Sequence, residues 1–417
     1  MWGPLDVDVW AERRKGELRN VRQAVEGIIE AVRLRGDEAL LELTKKFDKV
    51  SLSSVRVSEE EIEAAYEEVD ISLVRALRDA AERISRFHEL QRLRQNWMEE
   101  LYPGVSLGVR LLPLERVGAY VPGGKASYPS TALMCIVPAK VAGVEEVAVC
   151  TPPPVDPLTL VALDVAGADE VFSVGGAQAV AALALGTESV RPVVKVVGPG
   201  NVYVTEAKLL LKDKVDIDFP AGPSEVLIIA DSSARAEFVA ADILAQAEHG
   251  PHSPCLLVTD DASLAERVGE LVEEGARGSP RRAIIESSLV NVGYVLVPGM
   301  GEAAEVCNRL APEHLSVQCG DPEGVLEQVR SAGSIFLGPY SPVAAGDYAS
   351  GTNHVLPTAG YARLYSGLDV RHFCKATSVQ RLTREGLGSL APTIERLAKA
   401  EGLVEHARSV EVRLRRP

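Results

Sequence analysis

The sequence predicts an α/β protein built on two parallel sheets, with a helical start and a helical tail. Apolar runs of strand length alternate with helix-length stretches from Gly104 onward, the pattern of strands covered by helices on both faces. Gly- and Pro-rich turns close several runs, at YVPGG, GGAQA and GPGN. The rhythm then starts again after FPAGPSE, so a second sheet follows the first. A chain of 417 residues is also too long for one ordinary core.

Composition narrows the function classes. Hydrophobic residues at 46% and charged ones at 25% are those of a soluble globular protein. Lys and Arg total 44 against 59 Asp and Glu, and the net charge of −15 argues against a nucleic-acid binder. A small cationic substrate is compatible with that charge but not required by it. The opening MWGPLDVDVWAERRKGEL has early acids and no apolar centre, so it does not read as a signal peptide. No run of about 18 apolar residues exists to cross a membrane. The six cysteines are scattered without a C-x-x-C pair, several inside apolar runs, and predict buried reduced thiols in a cytoplasmic protein.

Taken in order, residues 1–100 read as helical. Val21, Val25, Ile28, Ile29 and Val32 make one apolar face, and Ser58 with Glu61 forms a capping box. Residues 71 to about 97 read as one long helix on which His88, among Arg, Glu and Gln, is solvated. From Gly104 come strands VSLGVRLL and VGAYV, then βα units through VAVC, EVFSV and VVKVV. The second set runs through VLIIA, CLLVT, VGYVLV, HLSVQ and SIFLG, and the final 45 residues return to helix.

Chemistry concentrates at a few places. In AADILAQAEHGP, Val239, Ile243 and Ala247 form the apolar face of a helix that Gly250 and Pro251 stop. Gln246 and His249, three apart in its last turn, leave on one face and suit two corners of an N/O metal site. The same residues also describe an ordinary polar helix end. Glu313 and His314 adjoin at a helix-to-strand turn, so one carboxylate and one imidazole can serve different positions of a substrate; a capped turn explains them equally. Asp347 is the one acid of the long 339–360 loop, which also holds His354, and is either a third metal ligand or a turn former. His406, beside Glu405 and near Glu401, has the pattern of a surface histidine. The G-x-G-x-x-G dinucleotide fingerprint is absent. Three loops at strand ends, carrying Tyr120, Gln178 and Asn201, together point to a ligand at the carboxyl edge of the first sheet.

VPGGKASYPST, GGAQA, VGPGN, VTEAK, DFPAGPSEVL, QAEHGPHS, APEHL and GDYASGTNHVLPT, in this order, make the chain resemble the histidinol dehydrogenase family from about residue 20 to 415. The resemblance implies two incomplete Rossmann-like, doubly wound parallel sheets, a helical N-terminal segment, an extended helical C-terminal tail and a homodimer. It implies one Zn²⁺ per subunit held by Gln246, His249, Asp347 and His406, with His406 coming from the partner subunit. Glu313 and His314 match the acid–base pair. Ser224, Glu401 (again from the other subunit), His314 and the four zinc ligands match the substrate contacts, with His354 a further candidate. Tyr120, Gln178 and Asn201 match the residues that contact NAD⁺. The implied reaction is the four-electron oxidation of L-histidinol through L-histidinal to L-histidine, the end of histidine biosynthesis, with two NAD⁺ consumed.

The expected domains are an arm at 1–20, a first α/β domain at 21–117 plus 226–367, a second at 118–225, and an intersubunit tail at 368–417. No nucleic-acid or membrane partner is expected. The alternatives are the same machinery oxidising another small alcohol such as a sulfonated diol, a zinc hydrolase using Glu313 as base, and a non-catalytic binding protein. The hydrolase leaves the three glycine loops without a purpose, and the binding protein leaves the ligand-type residues unexplained.

Overall fold

VLIIA, apolar at every position, becomes a strand whose five residues are all buried, as a sheet covered on both faces requires. The computed structural model describes residues 2–14, 21–92, 96–123 and 128–415. The chain divides into two units, 1–91 with 115–372 and 92–114 with 373–417.

The larger unit begins with α1 (Val7–Arg13), α2 (Arg22–Phe47), α3 (Glu59–Glu68) and α4 (Ile71–Leu90). The smaller unit opens with β1 (Trp97–Tyr102) and β2 (Val105–Pro113). One βα series follows: β3 (Arg116–Tyr120), α5 (Pro129–Ala142), β4 (Glu146–Thr151), α6 (Pro157–Ala166), β5 (Glu170–Ser173), α7 (Gly176–Leu185), β6 (Lys195–Val197), α8 (Val202–Leu210) and β7 (Asp216–Ile217). The next starts with β8 (Val226–Ala230), α9 (Ala236–Ala247), β9 (Cys255–Thr259), α10 (Ala262–Gly278), α11 (Arg282–Ser288) and β10 (Val292–Leu296). It ends with α12 (Met300–Leu310), β11 (His314–Gln318), α13 (Pro322–Leu326), β12 (Ser334–Leu337) and α14 (Val343–Tyr348). The smaller unit closes with β13 (Cys374–Leu382), α15 (Arg384–Ala400) and α16 (Val404–Leu414).

Both five-stranded sheets are parallel, in the orders β5-β4-β3-β6-β7 and β10-β9-β8-β11-β12. Counted within each series, the order is third, second, first, fourth, fifth both times, which is the order of a truncated dinucleotide-binding sheet. This repeat is invisible in the sequence beyond the shared βα rhythm. In the β8–β12 sheet, Val226, Ile228 and Ala230 face α9 and α10, while Leu227 and Ile229 face α12 and Trp10. The alternation follows from the two-residue period of a strand.

The structure corrects four expectations. Residues 21–91, grouped on sequence with the β8–β12 sheet, cover the other one: α2 packs on α7 and α8, α3 on α6, and α4 on α5 and α6. Helix α4 ends at Leu90, and β1 pairs antiparallel with β2 where helix was expected. His88 is fully buried, not solvated. It continues the stripe of Val74, Leu77 and Ile84, and its Nδ1 lies 2.7 Å from the Ile84 carbonyl oxygen. The tail is not wholly helical, since β13 runs antiparallel to β2 over nine residues before α15 begins. The glycine loop after Tyr120 runs into 124–127, which lie outside the described residues.

Helix α2 bends at Gly36, whose φ of 50° suits glycine. There the Asp37 N–H donates to the Glu188 carboxylate at 2.8 Å, and Asp37 accepts from Thr187 Oγ1 at 2.6 Å. Those bonds fix α2 against the loop after α7. Helix α9 is fixed to the β8–β12 sheet by Asp242, which accepts from Gln318 Nε2 at 2.9 Å. Burial pushes the Asp242 pKa up to about 6. The folded value exceeds the unfolded one, so this contribution is full below about pH 4 and is lost as pH rises through about 6. Asp242→Asn is therefore expected to raise stability by up to about 3 kcal/mol at pH 8 and by little at pH 4, read from urea denaturation at both values.

Candidate active site

The expected acid–base pair, Glu313 and His314, sits at the amino end of a strand. Glu313 precedes β11 and His314 is its first residue, paired in register with Val226 of β8. Ser224 and Glu225 stand immediately before β8, so two parallel strands deliver four polar residues to one edge. Glu225 organises them. Its N–H donates to Glu313 Oε2 at 2.8 Å, and its Oε1 accepts from the Glu313 N–H at 3.2 Å. Its carbonyl oxygen lies 3.1 Å from His314 Nδ1, so Nδ1 carries the proton and Nε2 keeps a lone pair. That Nε2 is buried without a hydrogen-bond partner, 3.9 Å from Asp347 Oδ1.

Electrostatics pull the pair apart. Burial holds the His314 pKa below the ordinary imidazole value, partly opposed by Asp347. Burial raises the Glu313 pKa well above the carboxylate range, with Glu225 and Asp347 adding to the rise. The first favours a neutral base, and the second brings a carboxylate nearer to working pH. Beneath them Glu225 is wholly buried and bonded to Arg14 Nη1 at 3.0 Å and to the Ala359 N–H at 3.1 Å. Arg14 also donates to the Leu310 carbonyl and lies over the Trp10 ring at 4.9 Å.

The expected metal donors converge in part. Helix α9 ends at Ala247, and its last turn is carried on by the His249 N–H donating to the Gln246 carbonyl at 3.2 Å. Gln246 is buried and donates Nε2 to Ser224 Oγ at 3.0 Å, which leaves Oε1 for a cation. Asp347 lies in α14, close enough to influence the charge of both His249 and His314. His354 turns Nδ1 to the Asp347 carbonyl oxygen at 3.0 Å and Nε2 to Thr131 Oγ1 at 3.3 Å, so both its nitrogens are engaged within the protein. Among the described residues no set of three His, Cys, Asp or Glu could hold a metal. Gln246, His249 and Asp347 are nonetheless of the donor types that an N/O cation site takes, and the first two stand at a helix end where the dipole is negative. Glu401 and His406 belong to the smaller unit and are exposed there.

At the carboxyl edge of the β3–β7 sheet, Tyr120, Gln178 and Asn201 all line one cavity of about 720 Å³, a volume suited to a small-molecule ligand or cofactor. The Gly176 N–H donates to the Tyr120 hydroxyl at 3.1 Å. Asn201 Oδ1 caps α8 at Tyr203 and Val204, at 3.0 and 3.2 Å, and its Nδ2 remains for a ligand. Gly198, with φ 110°, is held on both sides: its N–H donates to Asp218 at 2.8 Å and its carbonyl accepts from Lys208 Nζ at 3.0 Å, two side chains that pair with each other. A second cavity, of about 150 Å³, is lined by Gly198 and Pro199 of this loop together with Ser224, Glu313 and His354.

Sequence reasoning missed Arg14, Glu225 and the α2 wall of the larger cavity, which includes Lys46 and Asp48. Glu225 stood inside a quoted motif, but an acid next to an apolar run carries no sign that it is buried. Arg14 lies 211 residues away from it and gives no signal.

The histidinol dehydrogenase family model matches residues 11–414. A histidinol dehydrogenase of Methanosarcina mazei is 52% identical over 404 residues, covering 96% of this chain and 93% of its own. One of Methanothermobacter thermautotrophicus is 52% identical over 409 residues, covering 97% and 96%. The crystal structure of histidinol dehydrogenase from Elizabethkingia anophelis matches with a TM-score of 0.94 at 38% identity, over 99% of this chain and 97% of that one.

Removing one member of the buried ion pair leaves the other unpaired. Arg14→Met is expected to cost about 3–5 kcal/mol of stability, and Arg14→Met with Glu225→Leu to recover part of that loss. Urea midpoints of the two variants decide it; a single variant as stable as the parent contradicts the pairing.

Proposed function

The chain belongs to the histidinol dehydrogenase family and is an oxidoreductase, and we propose that it carries L-histidinol through L-histidinal to L-histidine with two NAD⁺ as hydride acceptors. The observation that carries this reading is the small cavity shared by the Gly198–Pro199 loop and Glu313. In it a glycine-containing loop at a strand end stands beside Glu313.

His314 Nε2 is the base of both oxidations in this proposal. It accepts the hydroxyl proton of histidinol as hydride leaves the carbinol carbon for NAD⁺. Glu313 then takes a proton from the water that adds to the bound aldehyde, while Nε2 returns its proton to the carbonyl oxygen and completes the hydrate. The hydrate gives its hydroxyl proton to Nε2, freed of the first, while the second hydride leaves. Ser224 and Gln246, bonded to each other, orient the substrate so that the aldehyde stays in place between steps. Zinc held by Gln246, His249 and Asp347, with His406 of a second copy of the chain, would supply a positive anchor for the imidazole and amino groups of histidinol. Glu401 of that copy would contact the substrate as well. Tyr120, Gln178 and Asn201 would hold NAD⁺. The buried thiols of Cys135, Cys150, Cys255, Cys307 and Cys319 accord with a reducing cytoplasmic setting.

The test is the yield of NADH per L-histidinol, before and after treatment with a strong chelator. Two NADH, abolished by chelation and restored by Zn²⁺, is the expected result. No NADH from a protein that still binds zinc and NAD⁺ would move the substrate to another small alcohol, such as a sulfonated diol. Glu313→Gln is expected to lower the NADH yield toward one, to release aldehyde that a carbonyl reagent traps, and to slow full turnover about 10²–10⁴-fold.

A further inference from the structure

The larger cavity contains an acid to which no role has been given. We propose that Asp48 selects the cofactor: its carboxylate accepts the two hydroxyls of the adenosine ribose and rejects a 2′-phosphate, so that NAD⁺ is used in preference to NADP⁺. The proposal rests on the reading of this cavity as the dinucleotide site.

The sheet fixes which end of a dinucleotide would lie where. Its order, β5-β4-β3-β6-β7, reverses between β3 and β6, and a dinucleotide lies across that crevice at the carboxyl ends. The reacting ring belongs on the β6 side, because Gly198 and Pro199 also line the small cavity with Glu313. The adenosine half then extends over the ends of β4 and β5, about 14 Å away across three strand spacings. In sheets of this order an acid about twenty residues beyond the glycine turn, at the end of the second strand, takes the ribose hydroxyls. Here the second strand, β4, ends in Thr151 and three prolines, Pro152 to Pro154, and supplies no acid.

Asp48 fills that vacancy from another direction. It is the C-cap of α2, the helix that walls the cavity. A Cβ placed on Gly175, at the end of β5, would lie 2.6 Å from Pro152 Cβ and 3.6 Å from Asp48 Oδ1. The carboxylate therefore stands over the ends of β4 and β5. Its Oδ2 is enclosed and has no hydrogen-bond partner. A buried acceptor left without a donor is costly, and a ribose diol brings two donors where a 2′-phosphorylated ribose keeps only the 3′-hydroxyl and adds negative charge. A 2′-phosphate set against that carboxylate would meet like charge.

The experiment compares the zinc-loaded enzyme with its Asp48→Asn, Asp48→Ala and Gln178→Ala variants. KM and kcat are measured for NAD⁺ and NADP⁺ at saturating L-histidinol, and thermal midpoints show that each variant is folded. Both Asp48 variants are expected to raise KM for NAD⁺ about ten-fold or more, to keep kcat within about two-fold, and to shift the kcat/KM ratio toward NADP⁺ by about ten-fold or more. An unchanged ratio overturns the proposal, whether both cofactors weaken equally or neither does. So does a fall in kcat with KM unaltered. Gln178→Ala keeps the two failures apart. If it weakens both cofactors while Asp48 has no effect, the cavity is the cofactor site and only the selector is wrong. If it changes neither, the cavity is not that site and the proposal falls with it.

Discussion

The arrangement of Glu313 and His314 hangs on one buried carboxylate. Glu225 bonds Glu313 through both its backbone N–H and its side chain, and positions His314 through its carbonyl. One residue thus sets the direction of the acid and the tautomer of the base. A charge with no solvent exposure is tolerable only when paired, and the pairing comes from Arg14. Glu313 and His314 carry opposed pKa shifts because the same enclosure acts on an acid and on an imidazole.

The two sheets share one strand order but use opposite edges. The β3–β7 sheet presents its loops at the carboxyl ends, as open α/β sheets do. The β8–β12 sheet presents Ser224, Glu225, Glu313 and His314 at its amino ends, where α9 also returns with Gln246. The cavity lined by Tyr120, Gln178 and Asn201 and the edge that carries Glu313 and His314 therefore belong to different sheets, and the loop at Gly198 borders Glu313.

Much of this was legible in the sequence, for physical reasons. Strands buried on both faces have to be apolar throughout, and VLIIA and CLLVT read as such. Tyr120, Gln178 and Asn201 stood after such runs, and they line one cavity. What escaped depends on distant partners. The burial of His88 followed from its helical stripe, but its charged neighbours in sequence disguised it. Strand β13 exists because β2 lies beside it over nine residues, and CKATSVQRL carries no strong pattern of its own. The side on which α2 packs is set by Asp37 and its contacts about 150 residues away. Arg14 and Glu225 escaped for the same reason, since no local spacing announces a contact made only in the finished fold.

The long reach of Arg14 also bears on how the molecule is made. Trp10 and Arg14 have nothing to bury against until β8, α12 and β11 exist, and Arg14 contacts the Leu310 carbonyl 296 residues further along the chain. At ordinary rates of synthesis that interval lasts roughly 15–60 s. Through it Trp10 and Arg14 stay in water, without the apolar cover and the Glu225 carboxylate that the finished fold gives them. The footing of Glu313 and His314 is therefore complete only once Trp10 and Arg14 dock against β8, α12 and β11.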